Sequence, residues 1–428
     1  SHRIKTIEAV LPKLEEAALS PAATDEDGQA YRSAQAERNL ALQERKDLTA
    51  GYWIGTLESA GLFPNYTLFD ESVTLEVSLS QLDPDTGHYA SSSERFQRGA
   101  TRALREFAPG ATFYAGGLEI KIDAVDLGKK GEHVKTYAFC GACGYNEEVL
   151  GEATTGSCPR CSSETIADLG QHLDVVELNR VSSMMRRDEA GIDDARDERT
   201  RVSFAMTLVA DYEPHDVTSE WYVENSGFGV RHIKKASMCW LNLGLTSGAG
   251  STVDIAGQTF VPGLFRLCAE CGQVDRRTAG NAPAEHRPWC SLRNAPQERT
   301  VAVALSHRMQ TEALMIRLPP WTGVGSPFPV PSLAAAIQLG LTEHLGGAPD
   351  HLAVAITADP TAEPGGPTEQ VLLLHDQVPG GTGYLAELAS PETLRAILLR
   401  AYEIVRDCEC AELGKISCHK CLLPHSAY

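Results

Sequence analysis

The sequence lacks any apolar run approaching the roughly 18 residues that a helical membrane span needs, so no membrane contact is expected. Its first residues, SHRIKTIEAV, carry no signal-peptide pattern, which points to a cytoplasmic, reducing setting. No GxxxxGK[ST] loop is present, so no ATP motor is visible in these 428 residues. No repeat of fixed period is found either. Basic charge is scarce: 38 Lys and Arg stand against 57 Asp and Glu, for a net charge of −19. A surface this acidic repels nucleic acid at long range, and any contact with it has to come from a local patch.

What is present is cysteine, 12 in all, and eleven of them fall into three tight clusters. In a chain with no secretion signal this pattern favours metal over disulfides. The first cluster, FCGACGYNEEVLGEATTGSCPRC, spaces Cys140, Cys143, Cys158 and Cys161 as CxxC-x14-CxxC. Each CxxC knuckle presents two thiolates on one side, and the excursion between them brings the second knuckle back to complete a tetrahedron. The second, CAECGQVDRRTAGNAPAEHRPWC, offers Cys268, Cys271, His286 and Cys290, three thiolates and an imidazole. The third, CECAELGKISCHKC, offers Cys408, Cys410, Cys418 and Cys421, with His419 and His425 close enough to compete. Each shell has four protein ligands and no open position, so zinc is expected as a structural staple at three sites and not as a hydrolytic metal. The remaining Cys239, in ASMCWLNL, reads as a buried core thiol.

At this length several units are expected. Residues 3–19 place Ile4, Ile7, Val10, Leu11 and Leu14 on one helical face, and a second helical pattern runs from about Tyr31 to Ala60. SVTLEVSL alternates as a strand. TFYAGGLEIKI reads as a hairpin through Gly116-Gly117. Residues 166–265 are strand-rich; TVAVAL, EALMIRLP, HLAVAIT and QVLLLHD are further strands, PSLAAAIQLGLTEHL is a helix, and a last helix opens at Ser390-Pro391.

Two stretches invite a functional reading. In SSERFQRGATRALREF, Arg95, Arg98, Arg102 and Arg105 recur at helical intervals, predicting one basic face, either for a phosphate backbone or as a solvated face paired with local acids. LLLHDQVPGGTGYLAEL, residues 372–388, admits three readings. His375-Asp376 would be a catalytic pair, or the amides of Gly380, Gly381, Thr382 and Gly383 a phosphate cradle. The leading reading is a tight glycine turn beside a metal knuckle.

LLLHDQVPGGTGYL, a helix, and then CEC…SCHKCLLPHS resemble the C-terminal zinc-binding domain of the mitomycin-repair helicase (MrfA) family, which also occurs in helicases and helicase partners of DISARM phage-defence systems. The family's Asp, Pro-Gly-Gly turn and four cysteines are matched by Asp376, Pro379, Gly380, Gly381, Cys408, Cys410, Cys418 and Cys421, across roughly residues 300–428. Upstream, ESAGLFPNYTLF, RALREFAPGATFYAGG and HRPWCSLR are similar to the region that follows the second motor domain in long members. The resemblance implies zinc ligation and a DNA-processing context, with the ATPase chemistry residing in an ATP-dependent helicase outside this segment.

The expected architecture is α+β and multi-domain: a helical segment (1–65), an α+β unit with a zinc ribbon (66–165), a β-rich domain with the second zinc site (166–293) and a C-terminal α+β domain with a four-cysteine site (294–428). The expected role is an accessory region of a superfamily 2 DNA helicase that supports DNA engagement or strand separation in repair or phage defence, with no catalytic residue of its own. The expected partners are DNA, in single-stranded form, and helicase motor domains in cis or a helicase subunit in trans. Candidate contacts are the four arginines above and Arg276, Arg277, Arg287 and Arg293 beside Trp289, where an aromatic flanked by arginines suits a single strand. The alternative is a helicase-partner or protein-interaction scaffold that does not itself bind DNA, which the net charge favours.

Overall fold

The computed structural model describes residues 2–21, 23–50, 72–82, 89–151, 156–192, 202–246, 251–275, 286–294, 299–322, 326, 328–347, 349, 351–360, 370–410 and 412–423. The N-terminal part contains α1 (His2–Leu19), α2 (Asp25–Ala50), β1 (Ser72–Leu82), β2 (Tyr89–Gly99), α3 (Ala100–Glu106), β3 (Thr112–Ala115), β4 (Leu118–Lys121) and β5 (Ala124–Val125). The middle contains β6 (Val134–Phe139), β7 (Asn146–Glu148), β8 (His172–Glu177), β9 (Arg180–Arg186), β10 (Phe204–Tyr212), β11 (Val217–Tyr222), β12 (Gly229–Leu245), β13 (Val253–Ile255), β14 (Gln258–Phe260) and β15 (Phe265–Cys268). After these come β16 (Thr300–Arg317), α4 (Pro329–Leu345), β17 (Leu352–Ala358), β18 (Gln370–Asp376), α5 (Tyr384–Leu388) and α6 (Pro391–Arg406). No helix among the described residues is long and apolar enough to cross a membrane.

Helix α1 buries Ile4 and Ile7 and half-buries Val10, Leu11 and Leu14, as the helical period requires. The helical reading of residues 31–60 holds to Ala50, and residues 51–60 lie outside the described residues. In β1, Val73, Leu75, Val77 and Leu79 are buried on one face, while Glu76 and Ser78 on the other are buried as well, so this strand is covered on both sides. It pairs antiparallel with β2 from Ser72↔Gly99 to Leu82↔Tyr89 and parallel with β9, giving a four-stranded sheet β2-β1-β9-β5. The TFYAGGLEIKI hairpin forms as β3–β4.

The arginine stripe is corrected here. Residues 89–99 are strand and not helix, because all eleven residues of β2 have a partner on β1; only 100–106 coil. Pairing along a neighbouring strand outweighs a weak local helical pattern. Arg95 and Arg98 lie three residues apart on a strand and so fall on opposite faces, off the helix that carries Arg102 and Arg105.

The main sheet has ten strands in the order β10-β12-β16-β8-β6-β7, with β11 added on β12, β15 and β18 on β16, and β17 on β18. It draws strands from the segments 66–165, 166–293 and 294–428 alike. Its spine is the 17-residue β12 against the 18-residue β16, registered from Gly229↔Arg317 to Asn242↔Leu305. TVAVAL and EALMIRLP are thus one strand, joined through SHRMQT, whose Ser306, His307 and Thr311 are buried. The spine serves three cores. Met238, Leu305 and Met315 pack with β1, β9 and α3; Val230, Leu314 and Ile316 are covered by α4, α5 and α6; Cys239, Leu241, Leu243 and Ala304 pack with β6, β8 and β13. Helices α4 and α6 approach so closely that a Cβ on Gly340 would stand 2.6 Å from the carbonyl oxygen of Ile397.

Candidate metal centres and the glycine turn

Three groups of side chains converge as the spacings predict: Cys140, Cys143, Cys158 and Cys161; Cys268, Cys271, His286 and Cys290; Cys408, Cys410, Cys418 and Cys421. Within each group the ligand atoms lie within 4.8 Å of one another. A tetrahedral zinc with Zn–S near 2.3 Å separates its sulfurs by about 3.8 Å. Sulfur pairs in the first group lie 3.5 and 3.6 Å apart, in the second 3.7 Å, and in the third 3.5 and 3.8 Å. His286 presents Nδ1 at 3.6 Å from Cys290 Sγ and 3.9 Å from Cys271 Sγ, the edge lengths of a Cys₃His shell. The residues therefore fit zinc at all three centres. On binding a divalent cation each group gives up its thiol protons. Cys239 joins no group; burial pushes its thiol up to about 11, as befits an inert core residue.

The first two centres are bolted to the sheets. Arg160, inside the first knuckle, donates to both Asp211 oxygens at 2.8 and 2.9 Å and to Glu213. Around the second, Arg287 is buried and donates to Asp123 Oδ1 at 2.6 Å and to Ser182 Oγ at 2.8 Å, while the Trp289 indole N–H is donated to Glu37 of α2. Glu37 also accepts from Arg3 at 3.0 Å, so this knuckle ties the N-terminal helix pair to the four-stranded sheet. Each knuckle has a small core of its own, Ala138 and Ile166 for the first and Trp289 with Leu292 for the second.

These contacts revise the candidate DNA contacts. Arg287 is consumed by a buried ion pair, and Trp289 packs on its own knuckle. Arg95 faces Glu76 at 3.8 Å, and Arg98 pairs with Glu106 at 2.9 Å while lying over the Phe113 ring. Arg102 and Arg105 are exposed on α3. Arg293 is half-buried near Asp27, whose pKa is lowered first by the Thr24 N–H and hydroxyl and further by this guanidinium. Arg276 and Arg277 lie outside the described residues.

The glycine turn after β18 is filled by the protein's own acids. Asp376, fully buried, accepts from Val378 N at 2.8 Å, from Thr382 N at 2.6 Å and from the Thr382 hydroxyl. Gly383 N donates to Glu312 Oε2 at 3.0 Å, and Gly380 and Gly381 donate to the carbonyls of Gln310 and Val378. All four amides offered for a phosphate cradle are thus engaged, two of them by carboxylates. Gly381 has φ +77° and a Cβ there would meet Glu312 Cβ at 2.5 Å, which explains the glycine. Its hydrogen bonds run to β16 and β18.

The His375-Asp376 pair does not form a catalytic couple. His375 packs edge-on against Trp240, its Nδ1 is 3.2 Å from the Asp376 carbonyl oxygen, and burial lowers its pKa to about 4. A buried histidine that does meet a carboxylate is His232, whose Nε2 lies 2.6 Å from Glu312 Oε1 and whose Nδ1 meets the Thr218 hydroxyl. No sequence signal joins these residues, which lie 80 apart and meet only because β12 pairs with β16.

Residues 333–422 match the family described as the MrfA Zn-binding domain. No curated protein matches the chain. Among solved structures it is similar to the crystal structure of the DUF1998 helicase MrfA bound to DNA, at 10% identity and a TM-score of 0.35, with 83% of this chain and 32% of that chain covered. The chain therefore spans 32% of that helicase's length. The chain carries an MrfA-type zinc-binding domain at residues 333–422, in which Cys408, Cys410, Cys418 and Cys421 form the cysteine tetrad.

Proposed function

We propose that this chain is a zinc-braced accessory region of a superfamily 2 DNA helicase, working with motor domains in cis or a helicase subunit in trans. Its task in this reading is to hold or separate a DNA strand in repair or phage defence, in a cytoplasmic setting. The observation that carries it is the MrfA Zn-binding domain at residues 333–422, whose four thiolates close a shell with no position left for a reacting ligand. The segments 1–65, 66–165, 166–293 and 294–428 are its successive parts, and Arg102, Arg105 and Arg293, together with Arg276 and Arg277, are the strand contacts.

The second reading, a scaffold without DNA binding, draws on the net charge of −19 and on the ion pairs that engage Arg95, Arg98 and Arg287. Fluorescence anisotropy of the zinc-loaded chain with single-stranded and duplex DNA, across a salt series, separates the two. The accessory reading expects salt-sensitive binding to the single strand. Each phosphate contact adds about 0.7 to the slope of log affinity against log salt, so replacing Arg102 and Arg105 by Ala should flatten it by roughly 1.4. No binding at low salt would leave the scaffold.

A further inference from the structure

The third zinc centre differs from the other two in ways that bear on its chemistry. Of the 12 cysteines, Cys408 and Cys418 are the two that are not buried. Their sulfurs lie 3.5 Å apart. The first and second knuckles each sit in a small apolar cluster, whereas here Leu413 and Ile416 are 71% and 99% exposed. Among the described residues the knuckle has no counterpart to Arg160 or to the buried Arg287; its ion pair, Lys420 to Glu409, is between side chains 78% and 79% exposed. Cys418 Sγ accepts the Lys420 backbone N–H at 3.3 Å.

We propose that Cys408 and Cys418 are an oxidative modification site, at which a hydroperoxide converts the third centre into a disulfide and expels its zinc while the other two centres stay loaded. The Cys418 thiolate attacks one peroxide oxygen; the O–O bond breaks, an S–O bond forms and the departing hydroxide takes a proton from solvent to leave as water. The Cys408 thiolate then attacks the sulfenic sulfur; the S–S bond forms, the S–O bond breaks and a second hydroxide leaves as water. In sum two thiolates, one hydrogen peroxide and two protons give one disulfide and two waters, with two electrons passing from sulfur to oxygen. Zinc is left with Cys410 and Cys421 alone, too few to hold it. The buried shells resist because peroxide has no path to their sulfurs.

The test uses the zinc-loaded chain without substitution, so no variant has to fold. Hydrogen peroxide is titrated in while free zinc is read with a colour-forming chelator, and aliquots are mapped by differential alkylation and peptide mass spectrometry. The expected result is one zinc per chain released about tenfold faster than the rest, in step with a Cys408–Cys418 disulfide and reversed by thiol plus zinc. Release of all zinc at one rate, earlier loss from either buried centre, or zinc loss with Cys408 and Cys418 unlinked would each overturn the proposal. A Cys239→Ala chain should behave as the parent, and a slower release from it would also count against the assignment.

Discussion

Replacing Asp376 by Ala probes the glycine turn most directly. The side chain is fully buried, and its two oxygens accept separate backbone N–H groups, Val378 at 2.8 Å and Thr382 at 2.6 Å, as well as the Thr382 hydroxyl. With the carboxylate gone, both donors lose their acceptor. A hydrogen bond to a charged group contributes about 1.5–3 kcal/mol, so two orphaned amides put the loss at about 3–6 kcal/mol. Asp376→Asn keeps an acceptor for one amide but sets its own NH₂ against the other, so a loss of about 2 kcal/mol is expected. Urea unfolding followed by tryptophan fluorescence reads this region well. Trp240 touches His375, and the Trp221 indole N–H is donated to the Ala389 carbonyl at 2.7 Å. If Asp376→Ala shifts stability by less than about 1 kcal/mol, the carboxylate does not hold the turn and the reasoning fails.

Two further perturbations follow from buried charge. His375 has its folded pKa depressed to about 4 against an ordinary 6.5, so the unfolded chain binds the extra proton between those values and stability should fall as pH drops through that window, by up to about 3 kcal/mol; His375→Leu should remove that part of the decline, and an unchanged pH profile by urea titration would contradict it. Arg287→Ala strands the buried Asp123 carboxylate and should cost about 3–5 kcal/mol in the same assay; near-parent stability would mean the second knuckle is not bolted through this pair.

The metal centres were legible because their information is local: CxxC, CxC and HxxxC spacings place ligands within a turn or two, and the returns are short. Strand alternation in β1 was legible for the same reason. What could not be read is what depends on pairing. The Arg95–Arg105 interval satisfies a helix, and only the match of β2 to β1 makes half of it a strand. Glu312 and His232 have no local signature, because a lone acid and a lone histidine become a buried pair through the β12–β16 register alone. Trp289 and Arg287, beside a zinc ligand, looked like surface groups until Glu37 and Asp123 arrived from distant segments.

Strand β16 connects the second zinc centre with the glycine turn. Thr300, at its start, is registered with Cys268 of the second zinc centre, and Ala313 to Arg317, at its end, with His375 to Val371. Eighteen residues of strand extend about 60 Å. Because all three cores pack on this one strand, the second knuckle, paired at its start, and the glycine turn, bonded to Gln310 and Glu312, are positioned by a single element.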